Sequence, residues 1–480
     1  MKIAKVYKTK IALSFLLIVI STSSCKKLVE IDAPITSTTS ENIYTNDASA
    51  ASVLTGLYTR ISKGSWKSSD IVGISVKSGL SADELSLYGG SSNSNQNLLR
   101  FYKNGLITQT NETFWETFYN YLETVNIALE RLSISTSLTP SVRQQLIGEA
   151  KFLRAFFYFY LVNLYGDVPL VTTSDYRLNA VLSRSSKMQV YQQIISDLKD
   201  AQTLLSDAYI AGDIINETQD RVRPNKWAAT ALLSRVYLYT GDWAKAETQA
   251  SAVISNSTLY SLNTLYNAFL QNNSEAIWQL QPVNAGWNTE DARVFILPTS
   301  GPNTSFNKYP VYLSIDLINS FEPGDRRKVV WVGSRMVGTN TYYFPYKYKS
   351  ATSGDPVTEY IMVLRLTEQY LIRSEARAWQ NNIIGAQDDL NMIRTRASLS
   401  NSTANDKTSL FPAILHERQV ELFSEWGHRW LDLKRSNTVD AIMTPICIKK
   451  GGSWTSNMQW YPIPLYEIVQ DPNIVQNLGY

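Results

Sequence analysis

Apolar residues recur at intervals of three and four along much of the chain. In "DASAASVLTGLYTRI", Val53, Leu54, Leu57, Tyr58 and Ile61 predict a helix over residues 47–61. Phe114, Trp115, Phe118, Tyr121, Leu122, Val125 and Leu129 predict another over roughly 112–132. The next stretch, "GEAKFLRAFFYFYLVNLYGDVPL" at 148–170, is different, because its aromatic rings fall on every side of a helix instead of on one stripe. A helix apolar all round is either a membrane span or the centre of a bundle. Glu149, Lys151 and Arg154 interrupt the stretch, and Ala155 to Val162 is far shorter than the roughly 20 residues a bilayer needs, so the helix is read as buried in a bundle.

Two segments read as helix pairs. In "PNKWAATALLSRVYLYTGDWAKAETQASAVIS", 224–255, Leu233, Ser234 and Tyr237 share one helix, Gly241 permits the turn, and Trp243, Ala246, Ala250 and Val253 share the next. Small Ser234 and Ala246 let the helices approach, with the spacing of a tetratricopeptide unit. "EQYLIRSEARAWQNNIIGAQDDLNMIRTRA", 368–397, is a looser copy, too distant in sequence for a regular array. Periodicity fades at 81–105 and again at 282–358, where Pro, Gly, Trp and Tyr mix. The expected architecture is all-α, helix pairs with loop-rich insertions, and the insertions are where a ligand site is expected.

Composition changes this picture at the N-terminus. Lys2, Lys5, Lys8 and Lys10 precede the apolar run Ile11 to Ile20 and the small residues of "STSSC" ending at Cys25, the layout of a bacterial lipoprotein signal. Residues 1–24 are read as the signal, Cys25 as the acylated residue, 25–45 as a tether and 46–480 as one domain. Four of the 45 basic residues lie before residue 25, which leaves 41 against 42 acids and removes the electrostatic footprint of a nucleic-acid partner. Cys447, the other cysteine, is read as a packing residue.

Catalytic chemistry has no positive signal. His416 and His428 are too far apart on a helix for a zinc site, and no metal or cofactor is expected. The acids and arginines of "HERQVELFSEWGHRW" are expected to pair along a helix surface. Saccharides present apolar faces and hydroxyls, so aromatic platforms beside amides suit them. Within loops 86–103 and 283–350 the candidates are Tyr88, Trp287 and Trp331 as stacking rings and Asn93 as a polar partner.

Taken in order, "SADE" (81–84), the 148–171 segment, "RPNKWAATALLSRVYLYTGDWAKA" (223–246), "FEPGDRR" (321–327), "IRTRA" (393–397), "ERQVELFSEWGHRWLDLKR" (417–435) and the ending "YPIPLYEIVQDPNIVQNLGY" give the chain a resemblance to the SusD/RagB family of outer-membrane nutrient-binding lipoproteins of the Bacteroidetes. The resemblance implies a tetratricopeptide-like scaffold, a lipid anchor displaying the protein on the outer membrane, and non-catalytic capture of an oligosaccharide for a SusC-like TonB-dependent transporter. Peptide or glycopeptide capture on the same scaffold is the alternative, and a glycan-degrading enzyme a third.

Overall fold

A computed structural model describes residues 43–64, 73–110, 114–304 and 309–480; Cys25, the signal and most of the tether lie outside them. Within the described residues the helices are α1 (Asp47–Lys63), α2 (Ile74–Ser81), α3 (Gln96–Tyr102), α4 (Trp115–Ile134), α5 (Pro140–Tyr165), α6 (Tyr176–Asn179), α7 (Lys187–Leu204), α8 (Lys226–Thr240) and α9 (Trp243–Ser255). They continue with α10 (Glu290–Phe295), α11 (Ile315–Ser320), α12 (Arg326–Val330), α13 (Leu366–Trp379), α14 (Ile383–Arg396), α15 (Lys407–Leu422), α16 (His428–Arg435), α17 (Val439–Lys449) and α18 (Leu465–Gln470). Among the described residues six short strands, β1 (Leu85–Leu87), β2 (Ala276–Leu280), β3 (Val311–Leu313), β4 (Val332–Val337), β5 (Asn340–Pro345) and β6 (Ile361–Arg365), form three two-stranded antiparallel sheets.

Helix α5 begins earlier than its aromatic run, at Pro140, whose fixed φ and missing N–H suit a first helical position. From Phe152 to Tyr165 it is buried on all sides, and it is packed by α1, α4, α7 and α8. Phe152 and Phe156 meet the Trp278 ring edge to face at 5.0 and 5.2 Å, and Phe159 meets Tyr239 at 5.0 Å. Its buried charged residues are paired, as burial requires. Arg154 holds Asp197 through two hydrogen bonds of 2.8 and 2.7 Å, and Glu149 accepts from Arg223 at 2.7 Å and from the Tyr58 hydroxyl at 2.9 Å.

The two helix pairs turn by the same device. Between α8 and α9 the chain passes through Gly241 at φ 75° and Asp242 caps the second helix; between α13 and α14 it passes through Asn381 at φ 62° and Asn382 caps. Glycine and asparagine tolerate this left-handed geometry best. Although far apart in sequence, the pairs are neighbours in space: α9 packs on α13, and Trp243 and Trp379 stack at 5.0 Å across the joint. Strand β2 leads into the long insertion and antiparallel β6 leads out of it straight into α13, so the insertion is closed at its base and leaves the helix stack unbroken.

One expectation is corrected. The acids of α15 do not pair along a helix surface: Glu417 and Glu421 are fully buried and bind arginines brought from other elements. Arg327 donates to Glu417 at 2.6 Å and to Glu421 at 2.9 Å; Arg365 binds Glu275 at 3.0 Å, Glu421 at 2.7 Å and Glu425 at 2.8 Å; Arg396 binds Glu275 and Glu421. Burial works to raise the Glu421 pKa, but Arg396, Arg365 and Arg327 together hold it well below the usual carboxylate range. The "FEPGDRR", "IRTRA" and "ERQVELFSEWGHRW" segments thus meet in one buried ionic network. Such a network needs every partner present, because a lone buried charge is costly.

Candidate functional site

The two insertions meet. Leu85, Ser86 and Leu87 of β1 pair with Leu313, Tyr312 and Val311 of β3, and the Tyr88 amide extends the ladder to the Pro310 carbonyl at 2.8 Å. Leu85, Leu87, Val311 and Leu313 face the core, which turns Ser86 and Tyr312 to the other side. The position of this sheet is fixed by "SADE": Asp83 takes a two-pronged hydrogen bond from Arg429, both 2.7 Å, and the Glu84 carbonyl accepts from the Ser314 amide at 2.8 Å.

The β4–β5 hairpin lies against β3. Its loop is Gly338–Thr339, and Gly338 at φ 60° fits the first position of a tight II′ turn. Gly333 is required for a different reason. A Cβ there would lie 2.3 Å from the Phe344 ring directly across the ladder.

These constraints gather four half-buried tyrosines into a continuous patch. Tyr342 on the hairpin meets Tyr88 edge to face at 5.6 Å and Tyr312 at 5.1 Å. Tyr102, at the end of α3, adjoins Tyr312 across Ser86; burial raises the pKa of both phenols, and a hydrogen bond to Ser86 opposes the rise. Ser91 and Ser94, on the loop that follows Tyr88, are exposed, as is Gln96 at the start of α3, and exposed Asn340 lies two residues before Tyr342. Such a surface combines apolar ring faces with neutral hydrogen-bonding groups. It can grip a ligand that is itself half apolar and half hydroxyl.

Two residues expected at the site are corrected. Trp331 is 0% exposed: its indole N–H donates to the Leu265 carbonyl at 2.8 Å, Phe269 covers it at 5.6 Å, and Lys347, Arg365 and Arg396 stand 5.0, 5.9 and 5.8 Å from the ring. It roofs the ionic network and offers no face to a ligand. Asn93 is also buried, donating to the Tyr88 carbonyl at 2.7 Å while its carbonyl oxygen accepts from the Asn95 amide at 2.8 Å. Its hydrogen bonds brace the loop that carries Tyr88. Trp287 is half-buried beneath the Arg293 guanidinium, 4.5 Å from its ring, and no ring contact joins it to the tyrosines among the described residues.

Tyr102, Tyr312 and Tyr342 were not picked out from the sequence. A signal existed for Tyr342: "VGSRMVGTNTYYFP" has the short turn of a hairpin, which fixes which side chains share a face. For Tyr312 and Tyr102 the only cue is pairing between segments far apart in the chain.

Comparison with known proteins adds the following. A family model described as starch-binding, associating with the outer membrane, matches residues 35–238, and the model of the SusD family matches residues 331–480. The chain is 24% identical over 431 residues to SusD-like protein P25 of Formosa agariphila, covering 76% of this chain and 79% of that protein. Among solved structures, a SusD superfamily protein from Bacteroides vulgatus superposes with a TM-score of 0.76 at 21% identity, covering 90% of this chain and 99% of that one. A laminarin-binding SusD-like protein superposes with a TM-score of 0.73 at 24% identity, covering 91% of this chain and 100% of the other.

Proposed function

Since the chain belongs to the SusD/RagB family, we propose that it captures a glycan on the face formed by Tyr88, Tyr102, Tyr312 and Tyr342 and releases it unaltered to a SusC-like TonB-dependent transporter. The observation that carries this reading is the patch itself: strand pairing positions Tyr88, Tyr312 and Tyr342, α3 adds Tyr102, and each ring stays partly open to solvent. Related proteins described as starch-binding and laminarin-binding support the ligand class. Association with the outer membrane is the family's description, and Cys25, acylated, is the anchor in this reading. No helix among the described residues is long and apolar enough to cross a membrane.

Calorimetric titration of the chain from residue 26 onward against starch and laminarin oligosaccharides, with peptides as the contrasting class, tests the proposal. Affinity is expected to rise with oligosaccharide length, because a shallow platform gains from ligand repeats. Tyr342→Ala is expected to weaken binding most and Trp287→Ala less. Incubation followed by product analysis gives the second test, and turnover at enzyme-like rates would overturn capture without catalysis. For the anchor, Cys25→Ala is expected to shift the protein from the membrane to the soluble fraction.

A further inference from the structure

A concave surface elsewhere in the described residues shares no residue with the tyrosine patch. It is a cleft of about 1170 Å³ bounded by residues 262–266, α12, α13, α14 and the segment that follows α14. Small-molecule sites typically occupy roughly 300–1000 Å³, so several sugar units fit.

Its chemistry is specific. Tyr266 is 60% exposed at the edge of the cleft although its loop is pinned, with Leu265 fastened to the Trp331 indole and the Asn263 side chain bonded to Ser274 at 2.9 Å. Tyr370 supplies a second ring, half-buried on the hydrophobic core beneath. Arginines outnumber acids in the lining: Arg326, Arg373, Arg377 and Arg396 against Asp388 and Asp389. Most of that charge is already committed. Arg373 and Arg377 grip Asp389 at 2.6 and 2.9 Å, and Arg396 is turned to Glu275 and Glu421 behind the wall. Arg326 is the exception. Its backbone amide is fixed to the Ala397 carbonyl at 3.0 Å, but its exposed guanidinium makes no hydrogen bond or ion pair among the described residues. The cleft is therefore lined by two tyrosine rings and by one exposed, planar, two-pronged cation that has no carboxylate partner among the described residues.

We propose that this cleft is a second saccharide site and that it takes an acidic sugar, a uronic-acid unit of an oligosaccharide, with Tyr266 against the ring and Arg326 on the carboxylate. A guanidinium matches a carboxylate in bidentate geometry, which a hydroxyl cannot reproduce. The proposal stands apart from the tyrosine patch, and either can fail alone.

The probe is tetragalacturonate, titrated calorimetrically into the chain from residue 26 onward, with its carboxyl-reduced counterpart and a sulfated neutral oligosaccharide of equal charge as comparators. Arg326→Ala and Tyr266→Ala are each expected to weaken tetragalacturonate binding at least about tenfold while melting at the parent temperature, as exposed side chains should. Arg326→Lys is expected to restore only part of the loss. Tyr342→Ala is expected to leave this binding unchanged. Absence of binding at millimolar concentration, equal binding of the reduced oligomer, equal binding of the sulfated one, or early melting of both variants would each overturn the proposal. Loss of binding in Tyr342→Ala alone would do so too, by moving the acidic ligand to the other site.

Discussion

Helix α5 and the tyrosine patch are both crowded with aromatic rings. In α5, Phe156 touches Trp278, Trp426, Phe157 and Tyr160, and no part of it reaches solvent. In the patch, Tyr342 touches Tyr88 and Tyr312 by ring edges and keeps part of its surface open. Residue type is nearly the same, but what stands behind each ring differs. The rings of α5 sit among helices on all sides, whereas Tyr88 and Tyr312 adjoin a two-stranded sheet whose other face is the core, with Tyr342 on the hairpin beside it and Tyr102 at the end of α3. Aromatic content therefore marks neither core nor site, and the number of sides covered decides between them. Trp331 shows how easily the two are confused, since it lies in the long insertion where a ligand site was expected and is packed as tightly as anything in α5.

The comparison can be broken most severely at the network beneath Trp331. Arg365→Met leaves Glu275, Glu421 and Glu425 short of a buried partner, and stability in urea denaturation should fall by about 3–5 kcal/mol or more. A loss under about 1 kcal/mol would show that the network is not closed as described. Next come the rings: Phe156→Ala and Trp331→Ala should each cost about 3–5 kcal/mol of stability. If Trp331→Ala instead kept full stability and lost glycan binding, the assignment of Trp331 to the core would be wrong.

Of intermediate size is a pH effect at the base of the insertion. Asp291 is pushed up to about 8 by burial, with Glu425 and Glu290 adding to the rise. Between about pH 4 and 8 it is protonated in the folded chain and ionised in the unfolded one, so the unfolded state binds fewer protons and stability declines as pH rises through that window. Asp291→Asn should remove this slope, and its stability relative to the parent should grow from about pH 4 to about pH 8 and then level off. Equal pH profiles would rule the effect out. The smallest change expected is at the patch, where Tyr342→Ala should weaken oligosaccharide binding by about 1–2 kcal/mol and barely move the melting temperature.

Much of the scaffold was legible because helices announce themselves locally. The spacing of Val53, Leu54 and Leu57, and the turn residue Gly241, act within a few positions of their neighbours. The candidate site was legible only as a region. Tyr88 was named, but its neighbours come from residues 102, 312 and 342, and what unites them is the pairing of Ser86 with Tyr312 and the packing of a hairpin against that pair. The acids of α15 misled for a related reason. A helix presents every third or fourth residue on one side, but nothing in that spacing says whether the side meets water or the arginines of α12, β6 and α14.

By itself the sequence determined several of the long helices, the turn at Gly241, and the family whose co-linear motifs the chain resembles, because each of these is encoded in residues close together. Tertiary structure alone decided that Trp331 and Asn93 are braces, that four distant tyrosines form a surface, and that the Arg326 side chain has no partner among the described residues. Burial and pairing depend on which segments come together in space, and the free energy of a ring or a charge is set by those neighbours more than by the residues beside it in the chain.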